Sequence, residues 1–313
     1  MPEPPPPASR PAVPMSDPVK ARLMLVALCL AWGLTWPAMR LALIDIPPFT
    51  MRAASSLIGT LTILVVTRLA GRSVRLPPRS AWLDMIVISM LNIVVFSLCT
   101  AFAQLSAFTG RVAILVYTMP IWASLLARVV LGERFTATRA LAFVLCVAGM
   151  IVLIYPLAGN GIPLGLLLAL GSAVSWALGT IYIKWRRINI EAFTLAAWQL
   201  IIAFFVILAF VPVFESGFRL SSVGYHSLGG VLFAGFFGSG VAYYLWFRII
   251  QLLPATTASL GVLSSPVIGV VSSIFVLGEV PTLADSIGFA LIFAASACVL
   301  LQPSLSAKVQ PER

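Results

Sequence analysis

Ten runs of 18 to 25 mostly apolar residues follow one another along this 313-residue chain, parted by short stretches rich in Pro, Gly and charge. A helix needs about 20 consecutive apolar residues to cross a bilayer, and within lipid every backbone polar group must be satisfied internally. The runs 22–43, 48–70, 81–103, 111–130, 138–155, 164–184, 192–213, 226–250, 256–277 and 284–302 are therefore predicted to be membrane-spanning helices. Only 10% of the residues are charged, against roughly 25% in soluble domains. That is too few to cover a water-facing surface, which excludes a cytosolic enzyme, a nucleic-acid module and a secreted disulfide scaffold.

The net charge of +10 is spread between the apolar runs rather than gathered on one face. With the N-terminus inside, sixteen Lys and Arg fall on the cytoplasmic side, and only Arg40, Arg52, Arg111 and Arg219 fall outside. That is the positive-inside pattern. It predicts a multi-pass protein of the plasma (inner) membrane with both termini cytoplasmic. Residues 1–19 hold eight prolines, including Pro4 to Pro7, and read as a disordered or polyproline-like tail, with Met15 an alternative start. Residues 303–313 read as a second cytoplasmic tail. Cys29, Cys99, Cys146 and Cys298 lie one each in four apolar runs, and His226 is the single histidine. Metal sites need several such ligands converging, so neither metal nor cofactor is expected.

The chain repeats itself. Trp32 and Phe49-Thr50 recur 144 residues later as Trp176 and Phe193-Thr194. Pro120 and Leu131-Gly132-Glu133 recur 146 residues later as Pro266 and Leu277-Gly278-Glu279. Five spans separate the copies, and five is odd, so the second copy stands upside down in the membrane. The predicted fold is an all-α membrane protein of ten transmembrane helices in two inverted five-helix repeats, 20–157 and 162–302. Inverted repeats are typical of secondary transporters with a site at the midplane.

The stretch from Gly240 to Glu279, GVAYYLWFRIIQLLPATTASLGVLSSPVIGVVSSIFVLGE, and its first-half partner from Ala113 to Glu133, AILVYTMPIWASLLARVVLGE, resemble the EamA repeat of the drug/metabolite transporter superfamily. The likeness covers about residues 22 to 302. It implies a ten-helix permease whose relatives export amino acids, aromatic ones included, and other small metabolites. A departure is Ala295, which stands opposite Gly149.

Candidate site residues follow from placement. Trp32 and Trp176 sit near the middle of their spans, away from the interface tryptophan prefers; they line a stacking cavity or pack between helices. Thr35 and Trp36 share a helical face with Trp32, as Ser172 and Thr180 do with Trp176. Pro120 and Pro266 deprive Val116 and Val262 of their usual donors, making either a packing kink or a hinge beside Tyr117, Met119 and Ser264. Asn92 is an amide at the centre of span 3, bridging helices or meeting substrate. Tyr243 and Tyr244 point to different faces, so one at most reaches the cavity. Arg52 and Arg111 stand near span openings, as attractors of an anionic group or as snorkelling interfacial side chains. Spans 5 and 10, aliphatic with small residues, read as scaffold or dimer contacts.

No carboxylate lies at a span centre, and Asp84 is only about one turn inside. Proton-coupled carriers ordinarily place a titrating group in the membrane, so facilitated diffusion or exchange is favoured. The functional expectation is a permease exporting small amphipathic metabolites, most plausibly amino acids, by alternating access. Its expected partners are a small-molecule substrate and the lipid bilayer, with no nucleic acid, in a monomer or homodimer. Nucleosides, drugs and other metabolites remain alternative cargoes, with or without proton coupling. An intramembrane lipid-modifying enzyme would need clustered acids or a Ser, His and acid set, which the sequence lacks. A non-transporting receptor or assembly factor is disfavoured by the internal inversion.

Overall fold

A computed structural model describes residues 18–133, 136–156, 163–253, 258 and 261–300. The two predicted tails fall outside these residues, apart from the short stretch 18–19. Ten apolar helices run in order: α1 Pro18–Ala42, α2 Pro48–Leu69, α3 Arg79–Ser106, α4 Thr109–Leu131, α5 Ala137–Ile154, α6 Leu164–Trp185, α7 Ala192–Phe214, α8 Tyr225–Leu252, α9 Ser264–Leu277 and α10 Leu283–Leu300. No strand occurs among the described residues. The protein is an all-α membrane protein. The ninth run, predicted over 256–277, is a continuous helix only from Ser264, after a turn at Leu263; residues 254–257 and 259–260 lie outside the described set.

Even helix number puts both ends of the bundle sequence on one side, here called the terminal face; the other is the far face. Pro48 opens α2 in its first turn, where a missing N–H costs nothing. The recurring Leu-Gly-Glu has a local cause. Gly132 and Gly278 end α4 and α9 in the left-handed conformation, at φ 68° and 67°, which a side chain disfavours. The next amides, of Glu133 and Glu279, then bond back to Ala127 and Ser273, at 3.2 and 3.4 Å. That is the glycine-terminated helix end, built twice.

The packing obeys the inversion. α1 lies on α8 and α9 as α6 lies on α3 and α4, while α2 pairs with α7 and α5 with α10. Both α3 and α8 loosen into a π-helical stretch at matching places, Met90–Val95 and Ala234–Val241. Such stretches frequently mark functional sites. α4 is interrupted at Tyr117–Thr118 and restarts at Met119, so Pro120 sits in the first turn of a new helix rather than inside a continuous kinked one. Pro266 likewise lies in the first turn of α9, just after Leu263. The expected kinks are thus helix restarts. A proline is tolerated at a helix start, and the chain places the interruption one turn upstream of it.

The small residues of α5 and α10 are spent within the chain. A β-carbon on Gly149 would come 2.7 Å from Ile292, and one on Gly288 would come 2.5 Å from Leu153. The two helices touch each other through these glycines.

Candidate substrate site

Around the α4 interruption the structure gathers part of the expected residue set. Trp36 is buried, with its ring 6.5 Å from that of Tyr117. Both pack into one apolar cluster with Met119 and Phe96. Phe96 in turn carries Trp176, with 5.0 Å between ring centroids. Trp36, Tyr117, Met119 and Trp176 are therefore joined through Phe96.

The remaining candidates lie apart. Trp32 turns to Trp246, 5.9 Å away, in a separate cluster between α1 and α8. Tyr243 stacks on Phe247 at 6.4 Å within the α2–α7 cluster, and Tyr244 meets Phe193. Thr180 is exposed, its hydroxyl donating to the Trp176 carbonyl at 2.9 Å. Ser264 is exposed and donates to the Gly261 carbonyl, whereas its neighbour Ser265 is fully buried.

Asn92 and Thr35 meet the opposite repeat at equivalent points. A β-carbon on Gly179 would overlap the Asn92 carboxamide, and one on Gly238 would overlap the Thr35 side chain. Asn92 is buried, and its Oδ1 has no partner among the described residues. Thr35 donates to the Ala31 carbonyl at 2.6 Å.

Among the described residues, side chains take up carbonyls next to the two interruptions, though not those of Val116 and Val262 expected from the proline positions. Thr118 donates to Leu115 at 2.6 Å, Ser296 to Tyr117 at 3.0 Å, and Cys29 to Gly261 at 3.2 Å. These residues stop at the helix ends what lipid could not satisfy.

The two expected entrance charges are placed differently. Arg111 forms a two-pronged ion pair with Asp285, Nε to Oδ1 at 2.5 Å and Nη2 to Oδ2 at 2.9 Å, with Asp285 almost wholly enclosed. Its charge is committed inside the protein, so it is no free attractor. Arg52 is not at an opening: it is buried, 8% exposed, and bonds Thr100 Oγ1 at 2.6 Å.

Carboxylates work at the two faces. On the far face Glu279 accepts from the Thr109 and Gly110 amides of α4, at 2.5 and 2.9 Å. Glu215 accepts from the Phe49 and Thr50 amides of α2, at 2.8 and 2.7 Å. Asp45 accepts from Gly224 N and Ser227 Oγ, and these bonds, the hydroxyl first, hold its carboxyl below the usual range. On the terminal face Asp84 meets Tyr182 and Arg186, while Glu133 meets Lys184 and Arg139. The neighbouring Lys184 ammonium draws the Glu133 carboxyl down in the same way. No group of three metal-ligating side chains occurs among the described residues.

Phe96, Trp246, Gln104 and Ser296 are the neighbours that sequence reasoning missed. Gln104 falls one residue past the predicted end of its run at 103, which hid it as a buried amide; the others carry no signal beyond residue type.

The sequence profile of the EamA-like transporter family matches residues 19–155 and again 163–301. The uncharacterized transporter YvbV of Bacillus subtilis is 28% identical over 292 residues, covering 92% of this chain and 94% of its own. YoaV of the same organism, also named an uncharacterized transporter, is 24% identical, covering 88% and 94%. The uncharacterized inner membrane transporter YedA of Escherichia coli K12 is 25% identical, covering 88% and 89%. A crystal structure with TM-score 0.64 and 23% identity, covering 90% of this chain and 96% of that one, shares the fold.

Proposed function

The chain belongs to the EamA-like transporter family, and on that premise we propose a secondary permease that exports small amphipathic metabolites, foremost amino acids with apolar or aromatic side chains. That it is a multi-pass membrane transporter rather than an enzyme rests on the family and its relatives. The cargo and the mechanism are our reading.

One observation carries the reading: the exchanged packing of α1 on α8 and α9, and of α6 on α3 and α4. Related contacts made by unlike residues give two arrangements of similar but unequal energy. Alternating access is the exchange between them. The cluster of Trp36, Tyr117, Met119, Phe96 and Trp176 beside the α4 interruption supplies stacking surface for an apolar side chain. The restarts at Pro120 and Pro266 serve as hinges. Asn92 Oδ1 offers a buried acceptor to a polar substrate group. Carboxylates engaged at both faces favour facilitated diffusion or exchange over proton coupling. With the terminal face cytoplasmic, the sixteen-to-four charge bias of the sequence follows the positive-inside rule, in the inner membrane.

The test is uptake into liposomes holding the purified protein, with labelled tryptophan, phenylalanine, threonine and uridine, each with and without a proton gradient. Saturable aromatic amino-acid flux indifferent to the gradient is expected, and Trp176→Ala should cut it about tenfold or more, the loss of one good aromatic stack. Normal transport by folded Trp176→Ala removes the pocket. Flux that follows the gradient removes the facilitator reading.

A further inference from the structure

Arg52 lies in α2, enclosed by protein, yet no carboxylate pairs with it among the described residues. Its sole acceptor there is Thr100 Oγ1, reached by Nη2. Thr100 spends its own proton on the Ser97 carbonyl at 2.8 Å, so its oxygen faces Arg52 as a pure acceptor. The Arg52 Nε has no partner. A guanidinium held this way keeps an unused Nε–H beside Nη2, and Nη2 shares its donors with Thr100. Nε and Nη2 form the edge with which an arginine grips a carboxylate through two parallel bonds.

One helical turn further along the same face of α3 stands Gln104, fully buried. Its Nε2 donates to the Trp36 carbonyl at 3.1 Å, and its Oε1 is left without a donor. Buried polar groups are rarely left unmet without a reason. Here an unmet cationic donor and an unmet acceptor stand one turn of α3 apart, joined through Thr100, and the Gln104 bond to Trp36 ties the acceptor to the aromatic cluster.

We propose that Arg52 and Gln104 form the polar end of the substrate site, where Arg52 takes a carboxylate and Gln104 Oε1 takes an ammonium N–H. The ligand class is the α-amino-acid zwitterion, which carries both groups on one carbon. The side chain would extend toward Trp36 and Tyr117. Both groups are closed off in this conformation, so the ligand reaches them when α1, α2 and α3 part at the far face. The proposal rests on the permease reading above and sharpens its cargo.

The experiment measures binding to detergent-purified protein, by intrinsic fluorescence and thermal shift, for three probes: phenylalanine, 3-phenylpropionate and phenethylamine. Phenylalanine should bind about tenfold tighter than either one-ended analogue, the effect of one charge-assisted hydrogen bond. Arg52→Gln should bring phenylalanine down to the level of phenethylamine, and Gln104→Leu down to that of 3-phenylpropionate. Should Arg52→Gln not fold, Arg52→Lys keeps the charge without the fork, and should weaken phenylalanine while leaving phenethylamine unchanged. Equal binding of phenylalanine and phenethylamine, no binding of any probe, or phenylalanine binding untouched by the Arg52 variants overturns the proposal. Liposome flux separates the two readings. Uridine flux without phenylalanine binding removes the zwitterion site and leaves a carrier, while phenylalanine flux with binding indifferent to Arg52 removes the site alone.

Discussion

Asn92 against Gly179, and Thr35 against Gly238, divide the same space in opposite ways. Thr35 and Gly179 are 144 apart, Asn92 and Gly238 146 apart, so each repeat puts a side chain where the other leaves a void. At both points a β-carbon on the glycine would overlap the opposing side chain. Gly179→Ala should therefore destabilise by about 1–3 kcal/mol, the usual range for overpacking, read as a lower Tm in detergent. Adding Asn92→Ala to it should recover most of the loss. Equal Tm values for Gly179→Ala and the native protein would show that α3 and α6 separate freely there. The repeat offset exposes Trp32 and Trp176 in the sequence, and apolar surroundings expose Asn92, but neither exposes their neighbours. Which way a spanning helix turns about its own axis depends on partners distant in the chain, so Trp32 facing Trp246, or buried Ser265 beside exposed Ser264, cannot be read from spacing. Arg52 near the start of its span has the sequence signature of an entrance residue; only the packing of α3 against α2 shows that it is enclosed.

At the scale of elements, Pro120 and Pro266 read in the sequence as kinks or hinges rather than helix restarts, and Leu-Gly-Glu as a repeat rather than a Gly-ended turn. The helix count and the places of interruption were legible, because apolar length and proline act locally. The caps were not. Glu279 and Glu215 satisfy the first amides of α4 and α2 from the other repeat, where a carboxylate also meets the positive end of the helix dipole. Glu279→Ala should cost about 1–2 kcal/mol, as the loss of a side-chain cap does, while Glu279→Gln, which keeps one acceptor oxygen, should cost less. Identical losses for the two would assign the effect to packing rather than to capping. Asp45 adds a pH signature. Its folded pKa is lowered, so its contribution is complete above the ordinary aspartate range, near about 3.9, and fades as pH falls through the folded value. Asp45→Asn should lower Tm modestly at neutral pH, and the difference from the native protein should vanish in strong acid. A difference that persists there would assign the loss to the changed shape of the side chain.

At the scale of the whole molecule, the small-residue faces of α5 and α10 close on each other within one chain, so Gly149 and Gly288 are not free to dimerise on. Purified protein should sediment as a monomer in detergent and resist amine crosslinking in liposomes; a stable dimer would mean that association uses another surface. The pairing of Arg111 with the enclosed Asp285 joins the repeats at the far face. Removing one partner of a buried pair strands the other charge, at about 3–5 kcal/mol, so Arg111→Ala should unfold the bundle far more readily than Arg186→Ala, whose side chain is half exposed. Similar losses would show that Asp285 finds water once Arg111 is gone.

The two faces are fastened by different chemistry. At the far face the carboxylates are bonded mainly to main-chain amides, and the ion pair there, Arg111 with Asp285, is enclosed, whereas Lys184 and Arg186 reach Glu133 and Asp84 at the terminal face with side chains 61% and 49% exposed. Dissolved ions screen exposed charges over about 8 Å at physiological strength and far more sharply in concentrated salt. Ionic strength is then a one-sided lever: brine loosens the terminal end and spares the other. On the alternating-access reading proposed above, the balance between the two orientations, and with it the ratio of influx to efflux affinity, becomes a property of the medium as much as of the chain.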